Sequence, residues 1–444
     1  MKSLIVLVMA GLWIPGVAYA QGGQAAGGAS PLVLTLDDAI SRGLATSHRI
    51  AEATARRDAA DAGIEERRAA TLPSVAAQAG YTRTNHVETF GILLPDNQLR
   101  VIYPDIPDNY RSRLDVQWPI YTGGRVDAMI EAARADAAAS AEDIDAIRAD
   151  LRLEIARAFW NLVVAEESQR VLEQSLARAS AHLRDVKNQL DAGLVPPSDV
   201  LTVQAQESRQ RMLGIQAGSA RNVAEAELGR LVGVPPGTPI HPNAVLEPVG
   251  MDVTVGSLVA QATADRRDRR ALLDRLSAAQ SRQQVATAGR RPTIGIAGGV
   301  DYARPNPRIF PRQGDWRQSW DASVNVSWPL FDGGRTRAEV AGAAASRRAL
   351  QARLNEFDSV LDLEIRQRVA EVESSRAAIA AAEDALQAAT EASRVLGERF
   401  RAGVATSTDV LSAQVAVLQA ELDRTQALVS SRLADARLHR ALGQ

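Results

Sequence analysis

The chain has no cysteine, which excludes a disulfide scaffold, a thiolate metal site, a cysteine nucleophile and an acylated N-terminal cysteine. Lysine is almost missing too, occurring only at positions 2 and 187, with arginine elsewhere in its place. Aromatic residues make up 4% of the 444 residues, although 46% of the chain is hydrophobic, much of it alanine. No charge sign dominates, with 53 acidic residues against 51 basic ones. No global field therefore recruits nucleic acid or an anionic membrane. The five histidines, His48, His86, His182, His241 and His439, share no metal-ligand spacing, so solvated or capping roles are expected of them. No nucleophile, base or cofactor motif can be assembled, which argues against an enzyme. A composition rich in Ala, Leu, Arg, Glu and Gln favours long helices packed closely on small side chains.

Residues 1–20 read as a signal peptide: Lys2 gives a positive start, Leu4 to Val17 an apolar stretch, and Ala18-Tyr19-Ala20 a small-x-small cleavage site. A Gly/Ala/Gln-rich tail over 21–31 is expected to be disordered. After it no apolar run reaches the roughly 18 residues of a spanning helix. An exported chain of this kind can cross a membrane only as a β-barrel.

The remainder is a tandem repeat. Trp118-Pro119-Ile120-Tyr121-Thr122-Gly123-Gly124-Arg125 returns 210 positions later as Trp328-Pro329-Leu330-Phe331-Asp332-Gly333-Gly334-Arg335. Ala192-Gly193 with Asp199-Val200-Leu201 returns at the same offset as Ala402-Gly403 with Asp409-Val410-Leu411. Nearer the start, Leu34-Thr35-Leu36 matches Val253-Thr254-Val255 and Pro73 matches Pro292, at an offset of 219. The first half therefore has a longer loop between Pro73 and Trp118. The spacing predicts repeats over 32–233 and 253–444, joined by a proline-rich irregular linker over 234–252.

Within each half the hydrophobic period changes twice. Asp37 to Ala70 and about Gly256 to Gly289 read as helices. Apolar and polar residues then alternate over about 73–84 and 111–121, and again over about 292–303 and 318–331. Segments of about ten residues suit tilted transmembrane strands, although a soluble antiparallel sheet would alternate in the same way. The export signal and the strand-end tryptophans favour the membrane reading. Past each Gly-Gly-Arg a coiled-coil spacing follows: Leu172, Leu176, Ala179, Leu183, Val186 and Leu190, with counterparts from Ala382 to Phe400. A helix from Arg125 to about Leu190 spans on the order of 100 Å. It breaks at a glycine turn, where Ser198 and Thr408 are expected to cap the returning helices. Those helices are half as long, so the first helices of each half must complete the return path. Arg266, Arg267, Arg269 and Arg270 read as a solvated basic face. Four strands per chain leave two unpaired edges, and the smallest closed barrels, of about eight strands, are filled by side chains. A trimer, with twelve strands, is the first oligomer to offer a usable pore.

This order of elements, together with the two Gly-x(5)-Asp-Val-Leu turns (Gly193 to Leu201, Gly403 to Leu411) and the paired aromatic-Gly-Gly-Arg junctions, resembles the TolC-like outer membrane efflux proteins. The resemblance covers the chain from about Leu32 to Gly443. It implies an α+β membrane protein: a long antiparallel α-helical barrel and four transmembrane strands per chain, completing a twelve-stranded barrel in a homotrimer. It further implies a cell outer membrane location in contact with lipid, a long periplasmic extension, and work with a periplasmic adaptor and an inner-membrane proton-driven pump or ABC exporter. The implied role is the exit duct of a tripartite efflux system, with type I protein secretion as the alternative and a non-conducting periplasmic coiled coil or adhesin as the reading from another class.

The resemblance also carries site residues. Asp409 matches an acidic residue lining the periplasmic constriction, Ser412 stands where a second acidic residue would be expected, and Asp199 matches a residue that holds the closed state. An equally good reading of both aspartates is that they complement helix dipoles. Phe400 and Ala405 replace a tyrosine and an arginine of the resting latch, so that latch does not carry over. The turns with Gly193, Leu194, Gly403 and Val404 are implied to dock the adaptor. Trp118, Tyr121, Trp328 and Phe331 are assigned to the periplasmic-side membrane girdle.

Overall fold

A computed structural model of the chain describes residues 31–245 and 255–444. The signal segment, nearly all of the N-terminal tail, and residues 246–254 of the linker lie outside the described residues. In chain order the elements are β1 (Leu32–Leu34), α1 (Leu36–Thr46), α2 (His48–Ala69), β2 (Ser74–Arg83), β3 (Phe90–Leu93), β4 (Leu99–Tyr103), β5 (Asp108–Tyr121), α3 (Arg125–Asp191) and α4 (Pro197–Leu231). The second half continues with β6 (Ile240–Pro242), α5 (Val255–Asp265), α6 (Arg267–Ala288), β7 (Thr293–Arg304), β8 (Arg317–Ser327), α7 (Arg335–Arg401) and α8 (Ser407–Ala441).

The long helices match expectation. α3 and α7 each run 67 residues, about 100 Å at 1.5 Å per residue, and α4 and α8 run 35 each. Each long helix starts after two consecutive glycines in the left-handed region, Gly123 (φ 66°) and Gly124 (φ 80°), then Gly333 (φ 66°) and Gly334 (φ 89°). A side chain at these positions would be strained, and that explains the repeated Gly-Gly.

Two expected helices are each divided. The break falls at Ser47 in the first half and Arg266 in the second, 219 positions apart, and both residues are extended. Ser47 caps α2 through a bond to the Ile50 amide. Arg266 is buried, with its guanidinium bonded to Asp268 at 2.7 Å, Glu364 at 3.0 Å and the Ala441 carbonyl at 3.3 Å. Arg269 likewise reaches Asp358 on α7 at 2.7 Å. This group is therefore a set of interhelix ion pairs and not a solvated face, because carboxylates of facing helices supply partners that local sequence does not reveal. The breaks accept the ends of the returning helices. A side chain at Gly233, just past α4, would meet Thr46, and one at Gly443 would meet Asp265.

The core follows the same duplication. In the first half Leu151, Ile155, Phe159 and Leu162 of α3 pack with Leu228 of α4, Ile240 of β6 and Leu34 of β1, which pairs in parallel with β6. In the second half Leu361, Ile365, Val369 and Val372 of α7 pack with Leu438 of α8 and Leu258 of α5. These clusters sit at mid-height along the long helices, with smaller ones further along and near the glycine turns.

At every level the protomer is an open arc of four elements. The main sheet has the order β2-β5-β7-β8, all antiparallel. Next to the sheet the helices neighbour one another as α2-α3-α6-α7, and toward the glycine turns as α4-α3-α8-α7. The seam on α3 from Leu172 to Val186 is largely buried, whereas its counterpart on α7 is mostly half-exposed, because α3 has helices on both sides and α7 ends the arc.

Candidate functional site

Strand register divides the main sheet into two chemically distinct faces. Cross-strand partners Gln78, Arg113, Asp301 and Ser319 lie on one face, followed by Ala76, Asp115, Gly299 and Asp321. The opposite face carries Ala77, Leu114, Val300 and Trp320, then Val75, Val116, Gly298 and Ala322. Each face covers the whole width of the sheet.

The polar face is tied by charge. Arg113 on β5 bonds to Asp115 at 2.6 Å, to Asp301 on β7 and to Asp321 on β8 at 3.0 Å, while Arg111 bonds to Asp301 at 2.7 Å. Asp301 is 1% exposed. Three arginine-aspartate links across three strands hold the register, since a slip of one residue would send every charge to the apolar face.

The apolar face is exposed throughout the protomer: Val324, Val326 and Trp320 are each about two-thirds or more open. Aromatic residues mark both ends. At the helical end stand Trp118, Tyr121, Trp328 and Phe331, all exposed. A bulge between Pro119 and Tyr121 pairs Trp118 with Ile296 and Tyr121 with Ile294, so both side chains share the apolar face despite their odd spacing. Strict alternation along the strand would put Ile120 there instead. The fourth strand ends at Ser327, short of the expected 331, and Trp328 and Phe331 lie on the segment beyond it, where Pro329 has no amide to donate. The indoles are anchored alike: Trp118 Nε1 donates to the Thr71 carbonyl at 3.2 Å and Trp328 Nε1 to the Arg290 carbonyl at 3.1 Å.

Sequence reasoning missed the second aromatic band. Tyr81 and Tyr110 have ring centroids 5.0 Å apart, Trp316 lies 5.8 Å from Tyr110, and Tyr302 stacks on Trp316 at 5.0 Å. Tyr110 precedes Trp118 by eight residues on β5, about 26 Å of strand at roughly 3.3 Å per residue. Strands tilted by about 40° turn that separation into roughly 20 Å of height, near the roughly 25 Å apolar band of outer-membrane barrels. The signal was present in the clustering of Tyr81, Tyr110, Tyr302 and Trp316 at the loop ends of the strands.

The opposite end of the molecule consists of the two glycine turns. Gly193 and Gly403, both at φ 73°, close the long helices, with Leu194 bonding back to Gln189 and Val404 to Arg399. Leu194 is 74% exposed and Val404 63%. The caps differ from the expected Ser198 and Thr408. α4 is preceded by Pro196, which provides no side-chain cap, while α8 is capped by Thr406. Thr406 Oγ1 accepts the Asp409 amide at 3.2 Å, and the Asp409 carboxylate accepts the Thr406 amide at 2.9 Å and its hydroxyl at 2.7 Å. These bonds hold the Asp409 carboxyl below the usual carboxylate range. Asp199 has no such box and receives only the Ser198 hydroxyl at 3.3 Å. Asp409 and Ser412 are exposed and lie one turn apart on α8. Phe400 is buried among Val186, Val203 and Val410, with Ala405 packed alongside.

Beside Phe400 lies a histidine that is neither solvated nor a cap. His182 on α3 is buried, with Nε2 2.9 Å from Ser407 Oγ on α8. Burial pushes its imidazolium below the usual range, against the opposing charge of Asp185. Its position follows from tertiary packing alone, since nothing local marks it.

Among the described residues no helix is long and apolar enough to cross a membrane, and no cluster of His, Asp and Glu has the arrangement of a metal site. A profile described as outer membrane efflux protein matches residues 39–234 and 258–444. Protein CyaE of Bordetella pertussis is 29% identical over 396 residues, covering 86% of this chain and 78% of the relative. The outer membrane protein TolC of Vibrio cholerae is 23% identical over 400 residues, covering 88% and 86%. Among solved structures, the outer membrane protein VceC of Vibrio cholerae superposes with a TM-score of 0.75 at 22% identity, covering 92% of this chain and 96% of that one. The MtrE outer membrane channel of Neisseria gonorrhoeae gives 0.75 at 20%, covering 92% and 88%.

Proposed function

Because the chain belongs to the outer membrane efflux protein family and is accordingly an outer-membrane protein, we propose that three copies close into one conduit that carries small molecules from a periplasmic adaptor and an inner-membrane pump to the exterior. TolC-like channels in general are homotrimers that work with such partners, and the family comprises ducts, not enzymes. The observation that carries the reading for this chain is the open arc. Edges β2 and β8 of the sheet, and α4 and α7 of the helical layer, are left without partners at matching ends. An unpaired strand edge in lipid costs several kcal/mol per orphaned group, and a heterologous contact of one edge with the other closes a ring. Twelve strands result, with the apolar face toward lipid and the Arg113-Asp301-Asp321 face lining the lumen. Exposed Leu201, Met212, Ile215 and Val223 on α4 are covered by the neighbour's α7. The helices extend the lumen about 100 Å into the periplasm.

In this reading Asp409 and Ser412, with Asp199 nearby, line the constriction at the tip, Gly193, Leu194, Gly403 and Val404 present the adaptor-docking turns, and residues 1–20 are the export signal. Trp118, Tyr121, Trp328 and Phe331 sit at the periplasmic rim of the membrane, opposite the outer band of Tyr81, Tyr110, Tyr302 and Trp316. Efflux is preferred because the family description carries that word, as does the name of one relative, the outer membrane efflux protein BepC of Brucella suis, 26% identical over 279 residues. The test is a deletion strain together with purified protein in planar bilayers. A detergent-extracted trimer with steady conductance and a deletion strain sensitised to drugs are expected. Loss of an exported protein without drug sensitisation would move the reading to type I secretion, and a detergent-independent protein without conductance would remove the conduit altogether.

A further inference from the structure

The first strand connection, residues 84–107, contains a hairpin of β3 and β4 that the shorter connection at 305–316 does not match. Its register pairs Phe90 with Tyr103, Ile92 with Arg100 and Leu93 with Leu99. Phe90 and Leu93 are each 63% exposed, Leu99 56% and Ile92 54%. The hairpin lies beyond the outer aromatic band, on the water side, where a concentration of large apolar side chains calls for a partner.

The side on which that partner lies is fixed by the neighbouring loop. Residues 305–308 of that loop lie over the polar face of the sheet. Arg308 bonds to Asp321 at 2.7 Å, and buried Asn306 donates to Ser319 Oγ at 3.0 Å and to the Arg317 carbonyl at 2.9 Å. Arg312 of that loop, with Pro305 and Pro307, borders a cavity of about 330 Å³ above Gln78, Thr82, Arg111 and Arg113 of the polar face. Arg312 in turn grips the hairpin: Nη1 donates to Tyr103 Oη at 2.6 Å, and the guanidinium lies 5.0 Å from the Tyr103 ring centre. The hairpin is thereby drawn over the polar, lumenal side and away from lipid.

We propose that the β3–β4 hairpins of three copies meet over the outer mouth and form an apolar lid, a closure separate from the helical tip. The occupant of each hairpin's apolar surface is the same hairpin of a second copy. Three observations select it. Arg312 holds the hairpin on the polar side of the sheet, the side that lines the lumen of the proposed trimer, and its leading strand β2 is an open edge of the sheet. Its span from Glu88 to Tyr103 carries only Glu88, Asp96 and Arg100 as charged residues, so three of them approach with little like-charge repulsion. The proposal rests on the trimeric conduit above.

The absence of cysteine makes the test clean. Leu93→Cys, produced in the full chain and purified in detergent, carries a single thiol. Oxidation is expected to give covalent dimers on a non-reducing gel and a loss of conductance that a reductant restores. Removal of residues 89–103, bridged by a short Gly-Ser segment, is expected to raise conductance in the unoxidised protein. Light scattering reports the trimer independently. A trimer whose Leu93→Cys thiol reacts fully with a maleimide yet yields no dimer overturns the lid and leaves the conduit standing. A chain that forms no trimer overturns both.

Discussion

The imidazole of His182 hydrogen-bonds Ser407 Oγ at 2.9 Å and meets the Phe400 ring edge-on at 5.1 Å, so one buried group on α3 joins the first-half hairpin to both helices of the second-half tip. Any movement that separates the two hairpins at the tip must break this contact.

Protonation of His182 is expected to loosen the tip. Its folded-state affinity for a proton is lowered, chiefly by burial, with Asp185 opposing. The stability it contributes is therefore complete above about pH 6.5 and falls as pH drops toward its lowered folded value. Amide protection over 400–411 should hold down to about pH 6.5 and decline below it, and His182→Gln should flatten that decline. The same pH profile in both proteins would exclude His182 as its source.

Thr406→Ala and Asp409→Asn separate the two roles open to Asp409. Loss of the Thr406 cap should destabilise the start of α8 by about 1 kcal/mol and reduce amide protection there. Asp409→Asn should leave most of the cap geometry in place yet reduce cation selectivity and cation block in bilayers. The carboxylate's capping contribution is present near neutral pH and lost as pH falls through its lowered folded value, below about pH 4. Single-channel records of Asp409→Ala that match wild type in conductance, selectivity and block would leave Asp409 with the cap alone.

The paired indoles give a stability prediction. Trp118→Phe and Trp328→Phe each remove one N–H donation, to Thr71 and Arg290, and each should cost about 1 kcal/mol. The midpoint of thermal unfolding in detergent should fall while conductance stays unchanged. An unchanged midpoint in both variants would show that these bonds contribute nothing net.

Glycines past the returning helices differ sharply from those at the tip. Alanine at Gly233 would place Cβ 2.7 Å from Thr46 Oγ1, and at Gly443 2.9 Å from the Asp265 carbonyl carbon, both in addition to a positive φ. At Gly403 φ is also positive, but no atom lies within 4 Å. Gly403→Ala should cost only the backbone penalty of roughly 1–2 kcal/mol, and the other two should cost clearly more. Equal unfolding midpoints for the three would contradict the packing of helix ends into the breaks at Ser47 and Arg266.

Much of the architecture was legible in the sequence because local periods and the repeat report local structure directly. The offsets of 210 and 219 located the longer loop, and the return to helical period after Gly124 and Gly334 set 67-residue helices to within a residue or two. Errors arose where a distant partner decides. Ser198 and Thr408 looked like caps, but the turn geometry gave that place to Pro196 and Thr406. Arg266 looked solvated until Glu364 and the Ala441 carbonyl came to meet it from α7 and α8.

The sequence by itself determined the duplication and the alternating strands, and set the export signal and the need for an oligomer as expectations, all of which follow from spacing along one chain. Tertiary structure decided which faces come together. It set the β2-β5-β7-β8 order, which puts Arg113, Asp301 and Asp321 on one surface, and the bulge that turns Tyr121 toward the apolar side. It also buried His182 under the tip and drew the β3–β4 hairpin across the polar face through Arg312 and Tyr103. Each of these depends on residues far apart in the chain, whose approach is governed by strand register and helix packing, and no local pattern encodes that approach.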